Sequence, residues 1–229
     1  MKSAFLSLRN MGIVTREIAG REIRIKDCAS SVCFITFFAD FDEGSLDDIM
    51  NAIPEVKVAA PKVVDWNQEL SPWKADPAFG EEGFGDGAGE TLSFIIDELM
   101  PAIVCERYVI GGYSLAGLFS LWACYQSGRF EGCCASSPSV WFDGWDDFIR
   151  GRPFKASKAY LSMGEKESKT RNQRMSKVAD RIREQEEILS SQMGPDNTVL
   201  EWNKGGHFQD VTERKIRSVR WMLEKMGLC

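Results

Sequence analysis

The hydrophobic pattern of the chain alternates between short apolar runs and longer amphipathic stretches from residue 107 onward. Apolar runs of strand length occur at 108–112, 130–136, 159–163 and 198–203. Helical periodicity occurs at 115–126, 144–150, 169–193 and 211–226. Strands separated by helices in this way predict a mainly parallel sheet that is covered by helices on both faces.

The first part of the chain adds further strands to this sheet. Polar and apolar residues alternate over 15–25 on both sides of Ala19-Gly20, which predicts a small hairpin. The nearly continuous apolar run 32–39 is typical of a strand buried on both faces. A short helix from Ser45 and a strand over 55–60 follow. The expected fold class is α/β, with one sheet of about eight strands.

Residues 63–89 are the least regular part of the sequence, rich in glycine, tryptophan and phenylalanine. A long loop inside a compact domain is usually functional, and this segment is a candidate lid. Helical periodicity resumes over 91–103. Because we find no repeat, linker or low-complexity segment, we expect residues 1–229 to form a single domain.

Composition narrows the classes of partner. The chain has 229 residues and a formal net charge of −6, which argues against a nucleic-acid partner. No stretch is long and apolar enough to cross a bilayer, and residues 1–12 lack the apolar core of a signal peptide. The cysteines are odd in number, dispersed, and without metal-site or redox-motif spacing: Cys28, Cys33, Cys105, Cys124, Cys133, Cys134 and Cys229. These features predict a cytoplasmic protein that uses no metal or other cofactor.

The sharpest chemical signal lies around Ser114. An apolar strand runs directly into a helix, and the serine between them has Gly112 two residues before it and Ala116 two residues after it. Small residues at these positions are what a nucleophile elbow requires, although glycine is usual at both. A serine capping an ordinary helix is the alternative interpretation. In an elbow, the backbone N–H of Leu115 would help to bind a developing oxyanion.

His207 is the only histidine in the chain, and it follows the last predicted strand. Gly205 and Gly206 before it allow a sharp backbone turn. This position makes His207 the candidate general base for Ser114. In a fold with a nucleophile elbow the acid lies between serine and histidine in the chain, where Glu165 and Glu167 both follow the penultimate strand. Asp143, Asp146, Asp147 and Asp210 do not follow that strand and are weaker candidates.

The second oxyanion donor is expected in the loop after the early apolar strand, residues 39–42. Asp40 is the candidate, through its backbone N–H. An acidic side chain beside an oxyanion is unusual, which slightly favours a binding protein that has lost catalysis.

Three segments carry a resemblance to a known family. Residues 112–117 (GYSLAG), 136–142 (SSPSVWF) and 205–207 (GGH) resemble an esterase family of the α/β-hydrolase superfamily. This family groups enterochelin-esterase catalytic domains with feruloyl esterases and S-formylglutathione hydrolases, and the resemblance covers about 32–223. In such proteins the acid follows a strand that ends in glycine, so the resemblance favours Glu167, three residues after Gly164.

The resemblance implies hydrolysis of a small-molecule carboxylic ester through an acyl-enzyme on Ser114. Trp66, Trp73 and Trp141 are candidates for the walls of the substrate pocket. An acyltransferase or thioesterase on the same fold, or a binding protein without catalysis, remains an alternative. The sequence identifies neither the two halves of the ester nor the oligomeric state.

Overall fold

Eight strands pair into one sheet in the computed structural model, which describes residues 12–228. The strands are β1 (Ile13–Ile18), β2 (Arg21–Lys26), β3 (Val32–Ile35), β4 (Lys57–Pro61), β5 (Arg107–Tyr113), β6 (Gly132–Ser136), β7 (Lys158–Gly164) and β8 (Thr198–Asn203). Their order across the sheet is β1-β2-β4-β3-β5-β6-β7-β8. β2 runs antiparallel to both β1 and β4, and every other neighbouring pair is parallel. The predicted fold class, a mostly parallel sheet of about eight strands, is confirmed.

Helices occupy the connections between consecutive strands from β3 onward, and one more follows β8. They are α1 (Glu43–Ala52), α2 (Trp66–Leu70), α3 (Ala88–Phe94), α4 (Met100–Ala102), α5 (Leu115–Gln126), α6 (Trp145–Ile149), α7 (Val178–Met193) and α8 (Val211–Lys225). A π-helical turn, Ile95–Leu99, joins α3 to α4, and 3₁₀ turns at Met175–Lys177 and Pro195–Asn197 precede α7 and β8. Within residues 12–228, no helix combines the length and apolar composition that a membrane crossing requires.

The two faces of the sheet are covered by different helices. On one face α5 is buried from Leu115 to Tyr125, as expected of a helix that is apolar on all sides. On the other face α8 packs beside α1, and Val219 and Met222 are almost fully buried there. Burying such a side chain contributes about 1.5–3 kcal/mol. The sheet is therefore held between two apolar layers, and the carboxyl ends of β5, β6, β7 and β8 meet at one edge.

Two predicted elements are longer than those observed by four residues or more. The strand predicted over 32–39 ends at Ile35, although the chain stays beside β4 through an isolated bridge between Phe38 and Lys62. The helix predicted over 169–193 begins only at Val178. The Asn172 side-chain oxygen accepts the N–H groups of residues 174 and 175 at 3.0 and 3.2 Å. A side chain that binds nearby backbone in this way competes with helix formation, which explains the later start.

Residues 63–89 contain more regular structure than their composition predicts. Asp65 caps α2 by accepting the N–H of Gln68 at 2.9 Å, and Ala75 forms a bridge with Phe84. The segment is attached to the chain before α7, because the Asn172 side-chain amide donates to the Ala78 carbonyl at 2.5 Å.

A buried polar network holds Trp145, the residue of α6 on which Trp73 of this segment stacks. Gln185 of α7 is fully buried and accepts a hydrogen bond from Trp145 Nε1 at 3.0 Å. Its amide nitrogen donates to the Tyr125 hydroxyl at 2.9 Å. One side chain thus connects α5, α6 and α7.

We predict that Gln185→Met lowers the free energy of unfolding, because it leaves the Trp145 N–H and the Tyr125 hydroxyl buried without this partner. Each orphaned group costs about 1–3 kcal/mol. Urea denaturation measures the change. Glu187→Met, on an exposed position of the same helix, is the matched control and should alter stability little. Equal stabilities of the two variants would contradict the prediction.

Candidate active site

The turn between β5 and α5 holds Ser114 in a strained conformation. Its φ is 58° and its ψ is −119°, in a region that residues other than glycine rarely adopt. A Cβ at position 112 would lie 2.5 Å from the Cβ of Ala116, so only glycine fits at 112 while alanine fits at 116. The turn has the backbone geometry expected of an elbow, and the departure to Ala116 is accommodated.

Ser114 lies directly before the first residue of a helix and in contact with a second serine. α5 begins at Leu115, so the first N–H groups of this helix have no partner within it. Such groups favour negative charge close to them. Ser114 Oγ lies 3.3 Å from Ser139 Oγ, and the Ser139 N–H donates to the Ser114 carbonyl at 3.1 Å. Ser139 was not among the predicted site residues.

His207 lies in the loop after β8 and is paired with a carboxylate. Its Nδ1 is 2.8 Å from Glu167 Oε2. The Tyr113 hydroxyl donates to the His207 carbonyl at 2.6 Å, which ties the histidine loop to the residue that precedes Ser114. Gly205 adopts a φ of +94°, a value that other residues rarely adopt, so the glycine contributes the sharp turn before the histidine.

Glu167 is nearly buried and has partners for both carboxylate oxygens. Oε1 accepts the Gly164 N–H at 2.7 Å and the Ser137 hydroxyl at 2.8 Å, and it lies 3.1 Å from Arg214 Nη1. Burial by itself would raise the pKa of Glu167, but the hydrogen bond and charge of His207, with the Ser137 hydroxyl and the Gly164 N–H, hold it below its ordinary value. Glu167 therefore remains a carboxylate beside the imidazole at neutral pH.

Glu165 occupies a different environment from Glu167. Its side chain is exposed, whereas only 5% of the Glu167 side chain is accessible. The structure thus brings His207 together with Glu167. Of the weaker candidates, Asp143, Asp146 and Asp147 form ion pairs with arginines, and Asp210 lies at the N-terminus of α8.

Arg214 is the main site residue that sequence reasoning did not identify. It lies in the first turn of α8, is fully buried, and donates to the Tyr113 hydroxyl at 3.0 Å as well as to Glu167. Its other terminal nitrogen donates to the Lys204 and Gly206 carbonyls at 3.3 and 3.0 Å. One signal was present in the sequence: Arg214 lies eight residues before Met222, on the face that helical spacing assigns to the core.

The three predicted catalytic residues open onto one cavity of about 1020 Å³. Ser114, His207 and Glu167 all line it, as do Trp66 and Trp141. Among residues 12–228, no hydrogen bond joins Ser114 to His207, and the Ser114 hydroxyl instead contacts Ser139. Hydrogen bonds between such residues are often long in the absence of substrate.

Trp73 does not line this cavity, so the structure does not support it as a pocket wall. Its ring packs on Phe142, Trp145 and Phe148 with centroid separations of 5.9, 6.4 and 5.3 Å. Its Nε1 donates to the Asp143 carbonyl at 2.8 Å. Trp73 anchors the segment 63–89 to α6, and the structure gives it a packing role.

Asp40 is not among the residues that line the cavity, and an oxyanion donor at its backbone N–H stays a prediction. Its side chain is 83% exposed and pairs with Lys62. In the same loop, the Ala39 N–H is already bound to Asp42 Oδ1 at 2.9 Å. The next two residues of the loop, Phe41 and Asp42, line the cavity, whereas Asp40 does not.

Comparisons with known proteins bear on the architecture. No protein-family model matches the chain, and no curated protein matches it in sequence. Among solved structures, an IroE-like serine hydrolase from Shewanella oneidensis has a TM-score of 0.71 and 15% identity over 93% of this chain and 80% of its own. The siderophore hydrolase EstA from Aspergillus nidulans has a TM-score of 0.69 and 17% identity over 94% of this chain and 95% of its own.

A third solved structure, the enterobactin esterase FES from Shigella flexneri, has a TM-score of 0.64 and 12% identity over 95% of this chain and 60% of its own. Identities this low establish a common fold and nothing finer. The predicted resemblance to esterases is thus confirmed for the architecture.

We predict that Arg214→Met lowers the free energy of unfolding by about 3–5 kcal/mol, because it leaves the buried Glu167 carboxylate without its arginine. Chemical denaturation measures the loss. Arg220→Met removes an exposed arginine from the same helix and is the matched control. If the free energy of unfolding fell equally little in both variants, the buried ion pair would not be a major source of stability.

The lowered pKa of Glu167 predicts a pH dependence of stability. The unfolded chain takes up a proton near pH 4.3, the ordinary value for glutamate, whereas folded Glu167 takes it up at a lower pH. Its contribution to stability is therefore present above about pH 4.3 and is lost as the pH falls through the folded pKa. Unfolding free energies measured in urea below pH 6 should fall less steeply toward acid for Glu167→Gln than for the native protein. Glu165→Gln, an exposed neighbour, should retain the native slope.

Proposed function

Because the chain has the α/β-hydrolase fold of these esterases, we propose that it is a serine esterase that hydrolyses a small-molecule carboxylic ester. One observation carries the proposal: the strained turn at Ser114 opens onto the same cavity as an imidazole that is already paired with a buried carboxylate. A histidine oriented by a carboxylate beside a serine on a sharp turn is the arrangement that acyl transfer requires.

In the proposed reaction, Ser114 Oγ attacks the ester carbonyl while His207 takes the hydroxyl proton. Glu167 accepts the Nδ1–H of His207, so that Nε2 is the nitrogen available for this proton. The protonated imidazole then gives the proton to the departing alcohol, which leaves an acyl-enzyme on Ser114. Water attacks this acyl group with His207 again as the base, and the carboxylic acid and the free serine are regenerated.

The Leu115 N–H, at the start of α5, is the proposed first donor to the oxyanion. For the second donor we propose the Phe37 N–H in place of Asp40. The N–H groups of Thr36 and Phe38 both donate to β4, at 3.1 Å to Ala59 and 3.3 Å to Pro61. Successive N–H groups of an extended chain point in opposite directions. The Phe37 N–H therefore points toward β5, the strand that Ser114 follows. Phe37 lines the cavity, and its N–H has no partner among the described residues.

The test is the hydrolysis of short-chain p-nitrophenyl esters by the native protein and three variants. Ser114→Ala and His207→Ala should each reduce kcat by at least about 10⁴-fold, and Glu167→Gln by at least about 10³-fold. A fluorophosphonate, which phosphonylates an activated serine with loss of fluoride, should label the native protein and fail to label Ser114→Ala.

Two controls use surface positions. Ser191→Ala removes an exposed hydroxyl, and Glu165→Gln removes the neighbouring exposed carboxylate. Both should retain native rates. A folded native protein that neither hydrolyses these esters nor reacts with the fluorophosphonate would overturn the proposal in favour of a binding protein without catalysis.

A further inference from the structure

The exposed aromatic side chains of the protein are concentrated at the candidate active-site cavity. Among residues 12–228, the exposed large hydrophobic residues include three phenylalanines, which are Phe41, Phe79 and Phe208. They are 76, 65 and 89% exposed, and all three line the cavity. They come from three separate segments of the chain, so their convergence is a property of the fold. An exposed apolar patch at a pocket marks a surface that binds an apolar partner.

The inner wall of the cavity is also largely apolar. Phe37 and Trp141 also line it, and Trp66 packs against Phe41 with ring centroids 5.6 Å apart. A volume of about 1020 Å³ is at the upper end for pockets that enclose a small organic ligand. The space is larger than a short acyl or alkyl group requires.

The charges of the cavity are paired within the protein. The residues that line it include two carboxylates, Asp42 and Glu167, and one lysine, Lys215. Lys215 Nζ lies 3.4 Å from Asp42 Oδ2, and Glu167 is paired with Arg214, which lies behind it. Burial lowers the pKa of Lys215, although the Asp42 carboxylate acts in the opposite direction. Among the described lining residues, every cation that an anionic group could meet in the cavity is therefore already paired with a carboxylate.

From these observations we infer that the cavity binds an uncharged ester with a bulky aromatic or apolar group, and that it disfavours esters with an anionic substituent. The inference rests on the proposed function and specifies its substrate class. The apolar walls would bind the bulky group by removing it from water, and the paired charges would not repay the desolvation of an anion.

Three p-nitrophenyl esters test the inference: the acetate, the phenylacetate and the 4-carboxyphenylacetate. The phenylacetate should have a kcat/KM at least about tenfold above that of the acetate, because the added ring is buried against apolar walls. The 4-carboxyphenylacetate adds a carboxylate to the far end of the same ring, and its kcat/KM should fall at least about tenfold below that of the phenylacetate.

Variants separate the apolar contribution from the electrostatic one. Phe79→Ala should reduce the ratio of kcat/KM for the phenylacetate to that for the acetate. Val104→Ala truncates another exposed hydrophobic side chain, outside the cavity, and should leave this ratio at the native value.

Asp42→Asn tests the charge pairing. Asparagine keeps an oxygen for the Ala39 N–H but leaves Lys215 without its carboxylate. The discrimination against the 4-carboxyphenylacetate should then decrease on the order of tenfold. Lys215→Met, which leaves Asp42 as an unpaired negative charge, should increase the discrimination. Asp48→Asn makes the same charge change at an exposed position of α1 and should have no effect on it.

The outcomes separate the inference from the proposed function. If the three esters are hydrolysed with equal kcat/KM, or the carboxylate is preferred, the inference is overturned while the esterase proposal stands. If no ester is hydrolysed and the fluorophosphonate labels nothing, both are overturned.

Discussion

The buried carboxylate of Glu167 is the constraint around which one edge of the sheet is arranged. Taking a carboxylate out of water costs several kcal/mol unless it finds partners of good geometry. Its partners come from four places: the end of β7 at Gly164, the turn after β6 at Ser137, the first turn of α8 at Arg214 and the loop after β8 at His207. Satisfying one charge therefore fixes the relative positions of four segments.

Backbone strain is concentrated near the same edge. Of the residues other than glycine with positive φ in 12–228, Ser114, Ser137 and Asp210 lie beside the site, and Ala19 lies in the hairpin turn between β1 and β2. Strained conformations persist only where the surroundings hold them firmly. Ser114 is held by hydrogen bonds to its carbonyl from Leu118 and Ser139. The rigid sheet edge thus maintains the geometry on which the proposed chemistry depends.

α8 contributes the cations that pair with the carboxylates of the site and of the cavity. Arg214 and Lys215 are consecutive residues of this helix, and a helix turns by about 100° between neighbours. The Arg214 side chain consequently pairs with Glu167, while the Lys215 side chain pairs with Asp42 in the cavity wall. Val219 and Met222, further along the same helix, hold it against the sheet. The positions of the two charged side chains that reach the site and the cavity therefore depend on how α8 packs against the sheet.

Where the signal is local, the sequence predicted the structure well. The predicted bounds of α5 and β8 agree with the observed ones, because the turn residues at their ends punctuate the chain directly. The elbow at Ser114 is local too, since it needs only a strand, a helix and small residues at 112 and 116. The hairpin at Ala19-Gly20 follows from alternation over a few residues on each side.

Residues whose surroundings come from distant parts of the chain were not predictable in the same way. Glu165 and Glu167 are equivalent by local pattern, but a turn in which the Glu167 N–H donates to the Gly164 carbonyl brings only the Glu167 carboxylate beneath His207. Trp73 packs on α6, and the Asp40 side chain pairs with Lys62, through contacts with residues distant in the chain. The sequence by itself determined the order of strands and helices and the position of the elbow, because these depend on periodicity and on neighbouring residues. Only the tertiary structure decided which carboxylate meets the histidine, that Arg214 supports it, and which aromatic rings face the cavity, because a side chain's direction is set by the packing of segments that are far apart in the chain.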